Sequence, residues 1–183
     1  MTIINDIGDI YAMRMKYWDF FTEHKFYEIY FTNVQRRAKQ MTGLIDGLCM
    51  IITAVSVSIW WLYGQVPLLW ATLIAFAQVM SVLSSKFPFS SQLVATRFLL
   101  PELSTLLINI SSDWNAIDIN EKSDSQIEKQ MRKHELEYHR IKNYYARDVY
   151  LPKSKVYIIN SAAKDYARFF WHRYNVKVEG MKL

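Results

Sequence analysis

Two apolar runs of 20 residues, 44–63 and 66–85, stand almost end to end in the middle of the chain, and no Asp, Glu, Lys or Arg interrupts the 39 positions between Asp46 and Lys86. A helix needs about 20 mainly apolar residues, rising about 1.5 Å each, to cross a hydrocarbon core of about 30 Å. Only Gly64 and Gln65 separate the runs, and Pro67 follows. Glycine suits a helix end and proline a first turn, so the pattern predicts two spans in a tight hairpin. Trp60, Trp61, Tyr63 and Trp70 gather at the turn, where indole and phenol rings favour the headgroup level. The run begins too late and extends too far for a signal peptide.

The flanks carry a different pattern. Residues 9–41 lack Gly and Pro and place Tyr11, Met15, Trp18, Tyr27, Tyr30, Phe31 and Val34 among Lys16, Glu23, Lys25 and Glu28. This predicts an amphipathic helix within 1–43 that either joins a core or lies on the membrane surface. After the spans, Phe87-Pro88-Phe89-Ser90-Ser91 reads as a break. The apolar segment 92–114 holds Arg97, Pro101 and Glu102, which favours a kinked helix outside the bilayer. A polar connector, 115–125, offers two capping boxes, Ser123 with Gln126 or Ser125 with Glu128. The next helix, to about residue 149, has a heptad-like seam of Ile127, Met131, His134, Tyr138, Ile141 and Tyr145. Pro152 ends it. Residues 155–160 are β-branched and suit an extended strand, a helix follows to about Tyr174, and 176–179 alternate like a small strand. The fold class is thus an all-α membrane protein: a hairpin (44–85), a cytoplasmic N-terminal helix (1–43) and a C-terminal helical region (86–183), with short extended segments near the C-terminus.

Charge and chemistry narrow the function. A single cysteine, Cys49, excludes a disulfide framework and a Cys-based zinc site. Residues 1–152 balance 15 Lys/Arg against 15 Asp/Glu, so the net +5 resides in 153–183, with seven basic and two acidic residues. The candidate anion-binding set is Lys153, Lys155, Lys164, Arg168, Arg173 and Lys177. Tyr166, Phe169, Phe170 and Trp171 interleave with these cations. Two readings remain: a nucleotide or short oligonucleotide held by charge and stacking, or a juxtamembrane helix with core aromatics and cations against lipid. Arg36, Arg37 and Lys39 precede the first span, and Lys86 and Arg97 follow the second. The turn has no cation, so both termini are expected in the cytoplasm.

Gln78, Ser81 and Ser85 share one face of the second span, as Thr53 and Ser56 do in the first. They suit either interhelical hydrogen bonding or a wet path. Asp46, at the cytoplasmic edge, suits solvation, pairing with Arg37 or Lys39, or an acidic ring at a pore mouth. Two helices cannot enclose a channel, so a pore requires a homo-oligomeric ring. No phosphate loop, nucleophile elbow or metal cluster is present in the sequence. His134 and His139 are five residues apart, which turns their rings about 140° from each other and defeats a zinc-protease motif. No enzyme activity, cofactor or metal is expected.

The arrangement resembles the SLATT family of two-transmembrane effectors of bacterial nucleotide-signalling defence. The resemblance covers most of the chain: a helix ending in Arg36-Arg37-Ala38-Lys39, the hairpin of 44–63 and 66–85, the Phe87-Pro88-Phe89 break, an apolar helix ending near Trp114 and a charged helix from about Ser125. It implies an inner-membrane effector of anti-phage defence that forms pores or otherwise perturbs the membrane, beside a nucleotidyltransferase or nucleotide-sensing partner. The basic tail is less typical of the minimal domain. The remaining alternatives are a membrane-anchored module whose tail recruits nucleic acid or a protein, and a small immunity protein.

Overall fold

Backbone hydrogen bonding in a helix does not depend on whether the side chains outside it are polar or apolar. The change in composition near residue 43 accordingly leaves the helix intact: in the computed structural model, Ile3–Leu62 is one continuous helix, α1. Its interior Gly43 and Gly47 cost about 1 kcal/mol each relative to Ala, which does not end it. The structure describes residues 3–62, 67–84, 88–119, 121–146 and 156–176, all helical apart from short connectors. The other helices are α2 (Pro67–Ser84), α3 (Pro88–Asp118), α4 (Asp124–Ala146) and α5 (Val156–Tyr174). The hairpin turn at Gly64 and Gln65, and the short strand read at 176–179, lie outside the described residues apart from Val176.

The chain divides into two units, Met1–Asn33 with Thr96–Leu183, and Val34–Ala95. The second is wider than the predicted hairpin by ten residues at each end, as 34–95 against 44–85 shows.

In the first unit, α3 is the central apolar element. Leu99, Leu103, Leu106, Leu107 and Ile110 recur at three- and four-residue steps, Ile117 follows two turns later, and all are buried. They join Tyr17, Phe21 and Phe31 of α1, Ile127, Tyr138 and Ile141 of α4, and Phe170 of α5 in one core. Of the aromatic face predicted for α1, Phe31 and Val34 are buried and Trp18, Tyr27 and Tyr30 pack against the core, whereas Met15 is exposed; Tyr17 and Phe21, outside the predicted set, are buried as well. Tyr17 donates its hydroxyl to the Ile110 carbonyl at 3.3 Å and stacks on Trp114. Trp18 meets Phe170 edge-on at 5.6 Å, and Tyr27 stacks on Tyr138 at 6.0 Å. Such aromatic pairs contribute about 0.5–1.5 kcal/mol each beyond area burial.

The helix boundaries follow local chemistry. α3 starts at Pro88 and passes through Pro101 without interruption. The proline leaves the carbonyl of residue 97 without its helical donor, but Arg97 and Pro101 are both exposed, so water can serve it. Ser123 caps α4: its carbonyl accepts from Ile127 N–H at 2.9 Å, and its own N–H donates to Gln126 Oε1 at 2.9 Å, one arm of a capping box. The extended segment expected at 155–160 is corrected. Residues from Val156 onward are the first turns of α5, because Ile158 and Ala162 enter the core and tertiary burial outweighs β-branched propensity. Asn175, with φ 54°, ends α5. Its N–H donates to the Trp171 carbonyl at 3.1 Å, the left-handed cap that asparagine tolerates.

In the second unit the apolar side chains point outward. Leu44, Leu48, Ile51 and Val55 are exposed along α1 at steps of four, three and four, as are Leu68, Phe76, Val79 and Val82 on α2. Ala77 is the one buried side chain among those described on α2. Exposed apolar surface of this extent marks a contact with lipid or with another protein surface. Thr42, Thr53 and Thr72 satisfy their hydroxyls inside their own helices, on the carbonyls of Ala38, Cys49 and Leu68 at 2.9, 2.8 and 2.7 Å.

Two stretches are long and apolar enough to cross a membrane, Ala12–Val55 and Phe89–Asp118. Burial separates them: 6% of the apolar window of the first is buried against 44% of the second. The apolar residues of α3 are spent on the core of the first unit, whereas those of α1 beyond residue 43 are not.

Candidate functional site

The residues singled out in the spans fall as follows. Gln78 lies on α2, one position beyond Ala77 and therefore about 100° round from the buried side. Its side chain is exposed, and its amide has no partner among the described residues. The side chain of Ser81 and the whole of Ser85 lie outside the described residues. Asp46 is exposed on α1, between the exposed Leu44 and Leu48. Thr53 is bonded within its own helix.

The basic tail is partly described. Lys153, Lys155 and Lys177 lie outside the described residues. Lys164, Arg168 and Arg173 are exposed on α5. Arg168 is 3.9 Å from Asp165, and Asp165 also accepts from Asn33 at 3.1 Å. The interleaved aromatics are largely committed to the core. Phe170 is 1% exposed, and Tyr166, Phe169 and Tyr174 pack against it. Trp171 alone of the four aromatics in the predicted set is exposed. Arg173 reaches a cavity of about 530 Å³ edged by Lys25, Glu28, Ser104 and Asn115. There Lys25 pairs with Glu28 and lies 4.4 Å over the Phe169 ring, and Ser104 donates to Glu28 at 2.6 Å.

A larger groove lies between α3 and α4. It holds about 940 Å³ and is lined on α3 by Asn109, Ser112 and Asp113. On α4 it is lined by Lys129, Arg132, Lys133, His134 and Arg140. Asp113 organises one side. Its Oδ1 accepts from Lys122 Nζ at 2.6 Å and Gln130 Nε2 at 3.3 Å, and its Oδ2 from His134 Nε2 at 2.7 Å. Burial pushes its carboxyl up, but the hydrogen bonds and charges of Lys122 and His134 outweigh this and hold it below the usual carboxylate range. Glu137 is held by Arg140 at 2.9 Å, and Arg132 reaches Glu128 at 3.4 Å.

This groove was not singled out from the sequence. Its signal is present there as Lys129, Lys133 and Arg140, spaced four and seven apart on one helix face. The place of His134 in the α4 seam agrees with the sequence reading, and His139 is exposed.

No family model matches the chain, and no curated protein or solved structure matches it.

Proposed function

We propose that residues 44–63 and 66–85 insert into a bilayer as a hairpin and that copies of the chain assemble there into an ion-conducting pore, controlled by the helical domain outside the membrane. The observation that carries this reading is Gln78. It is an exposed amide amid exposed apolar side chains on α2, with no partner among the described residues. An unpaired amide is costly in hydrocarbon, so it needs either a polar group from another copy or water. Both are met in a ring whose α2 helices turn Gln78 toward a central path. In such a hairpin Asp46, about 24 Å of helix before Leu62, stands at the cytoplasmic mouth, where a ring of carboxylates favours cations.

The flanking cations support an orientation with both termini in the cytoplasm. The resemblance in helix order to the SLATT family supports a bacterial inner-membrane effector of anti-phage defence. In that setting the controlling ligand is nucleotide-like and a nucleotidyltransferase is the natural partner. The gate is an equilibrium between helix packings that a ligand biases through unequal affinity.

The second reading is a membrane-anchored binding module. The cation-lined groove on α4 favours it, because such a site needs no pore. Purified protein in liposomes loaded with an ion-sensitive dye separates the two. A pore releases the gradient and migrates as a defined oligomer in detergent, whereas an anchor is monomeric and leaves the gradient intact.

A further inference from the structure

From the α3–α4 groove we infer a binding site for a small organic ligand carrying two or more phosphate groups, seated on Lys129, Arg132, Lys133 and Arg140. The inference deepens the reading of a ligand-controlled pore by placing the ligand, and it moves that place from the tail to α4.

Size comes first. At about 940 Å³ the groove is within the range of roughly 300–1,000 Å³ that small-ligand sites occupy. Charge comes second. Four Lys or Arg line the groove against two carboxylates, Asp113 and Glu137. Both carboxylates are already engaged, Asp113 by Lys122, Gln130 and His134, and Glu137 by Arg140. Lys129 has no partner among the described residues, and Lys133 meets only the charge of Glu137, whose carboxylate Arg140 already holds. The two lysines stand four apart on one face, where like charges repel each other, and an anion between them relieves that repulsion.

Geometry comes third. From Lys129 to Arg140 is about 16 Å along the helix, longer than one phosphate can bridge. A ligand that engages both ends therefore presents more than one anionic group. Arginine offers a planar fork suited to paired phosphate oxygens, and lysine a point charge. On the opposite wall Asn109 and Ser112 add neutral hydrogen-bonding groups. Leu136, exposed between Lys133 and Arg140, gives apolar surface for the ligand's organic body.

The test is titration calorimetry on the full chain in detergent, with adenosine triphosphate, inorganic tripolyphosphate and inorganic orthophosphate as probes. Saturable binding is expected for the triphosphate, weaker binding for orthophosphate. Lys129→Gln combined with Lys133→Gln should lower triphosphate affinity roughly tenfold or more and flatten its salt dependence. Both side chains are exposed, so the thermal unfolding midpoint of the double variant should match wild type. Four results overturn the inference: no saturable binding of any probe, unchanged affinity in the double variant, loss confined to Lys164→Gln with Arg168→Gln and Arg173→Gln, or association only with vesicles containing anionic lipid. Ion flux is measured separately. A chain that binds in the groove and conducts nothing keeps this site and contradicts the pore, and a conducting chain that fails the titration does the reverse.

Discussion

His134 Nε2 lies 2.7 Å from Asp113 Oδ2, tying α4 to α3 across 21 positions of sequence. Lys122 and Gln130 complete the set of donors on the same carboxylate. A network of this kind fixes the register of two helices, and removing its acceptor takes a partner from His134 and Gln130 and leaves Lys122 only its bond to Gln130.

That arrangement predicts an acid-sensitive domain. The Asp113 carboxyl is below its ordinary range when folded. A depressed carboxylate contributes stability that is present above its unfolded value and is lost as pH falls through the folded one. The urea midpoint of the helical domain should therefore drop as pH is lowered through and below the usual carboxylate range. Asp113→Asn should be less stable near neutrality and show a shallower acid dependence. Parallel pH profiles for the two proteins would remove Asp113 from the account.

The core predicts unequal costs for two aromatic changes. Phe170 is 1% exposed and touches Trp18, Phe21, Tyr166 and Tyr174, so Phe170→Ala should cost about 3–5 kcal/mol. Tyr17→Phe removes one buried hydrogen bond to the Ile110 carbonyl while keeping the ring, and should cost about 1–2 kcal/mol. Denaturant unfolding measures both. Equal costs would mean that α5 does not complete the core.

Exposed apolar side chains on α2 predict a lipid requirement. Phe76→Arg sets a cation among Val79, Val82 and Leu83, all exposed. In a bilayer a central cation costs about 2.5–3.5 kcal/mol on insertion scales. The variant should leave the membrane fraction or insert poorly. Normal insertion would place that face in water or against protein.

Sequence reading succeeded where one local pattern decides the outcome. The α4 seam of Ile127, His134, Tyr138 and Ile141 is a period, and the period puts these residues in the core. The capping box of Ser123 and Gln126 is four residues long and self-contained. It failed where distant residues decide. Phe31 and Val34 of the predicted α1 face are buried, but Tyr17 and Phe21 join them only through packing against α3 and α5, which no local pattern announces. The β-branched start of α5 suggests a strand until Ile158 meets the core. The cations of the α3–α4 groove are a visible stripe on α4, but the facing Asn109, Ser112 and Asp113 belong to another helix. The composition change near residue 43 marks where surroundings change and not where α1 ends.

The proposed pore predicts different defects for Asp46 and Gln78. Asp46→Asn removes an exposed carboxylate from α1 and should reduce cation preference more than total flux. Reversal potentials across a planar bilayer with unequal salt on its two sides report that preference. An unchanged reversal potential would take Asp46 out of the ion path.

The central claim is tested most directly by ion flux from liposomes holding equal amounts of wild-type protein and Gln78→Leu, with oligomer size measured on the same preparations. If Gln78 lines a wet path, leucine makes the constriction apolar and prone to dewetting. The account predicts a strong fall in flux with oligomer size unchanged. Undiminished flux through Gln78→Leu, or no flux through the wild-type protein, would contradict it.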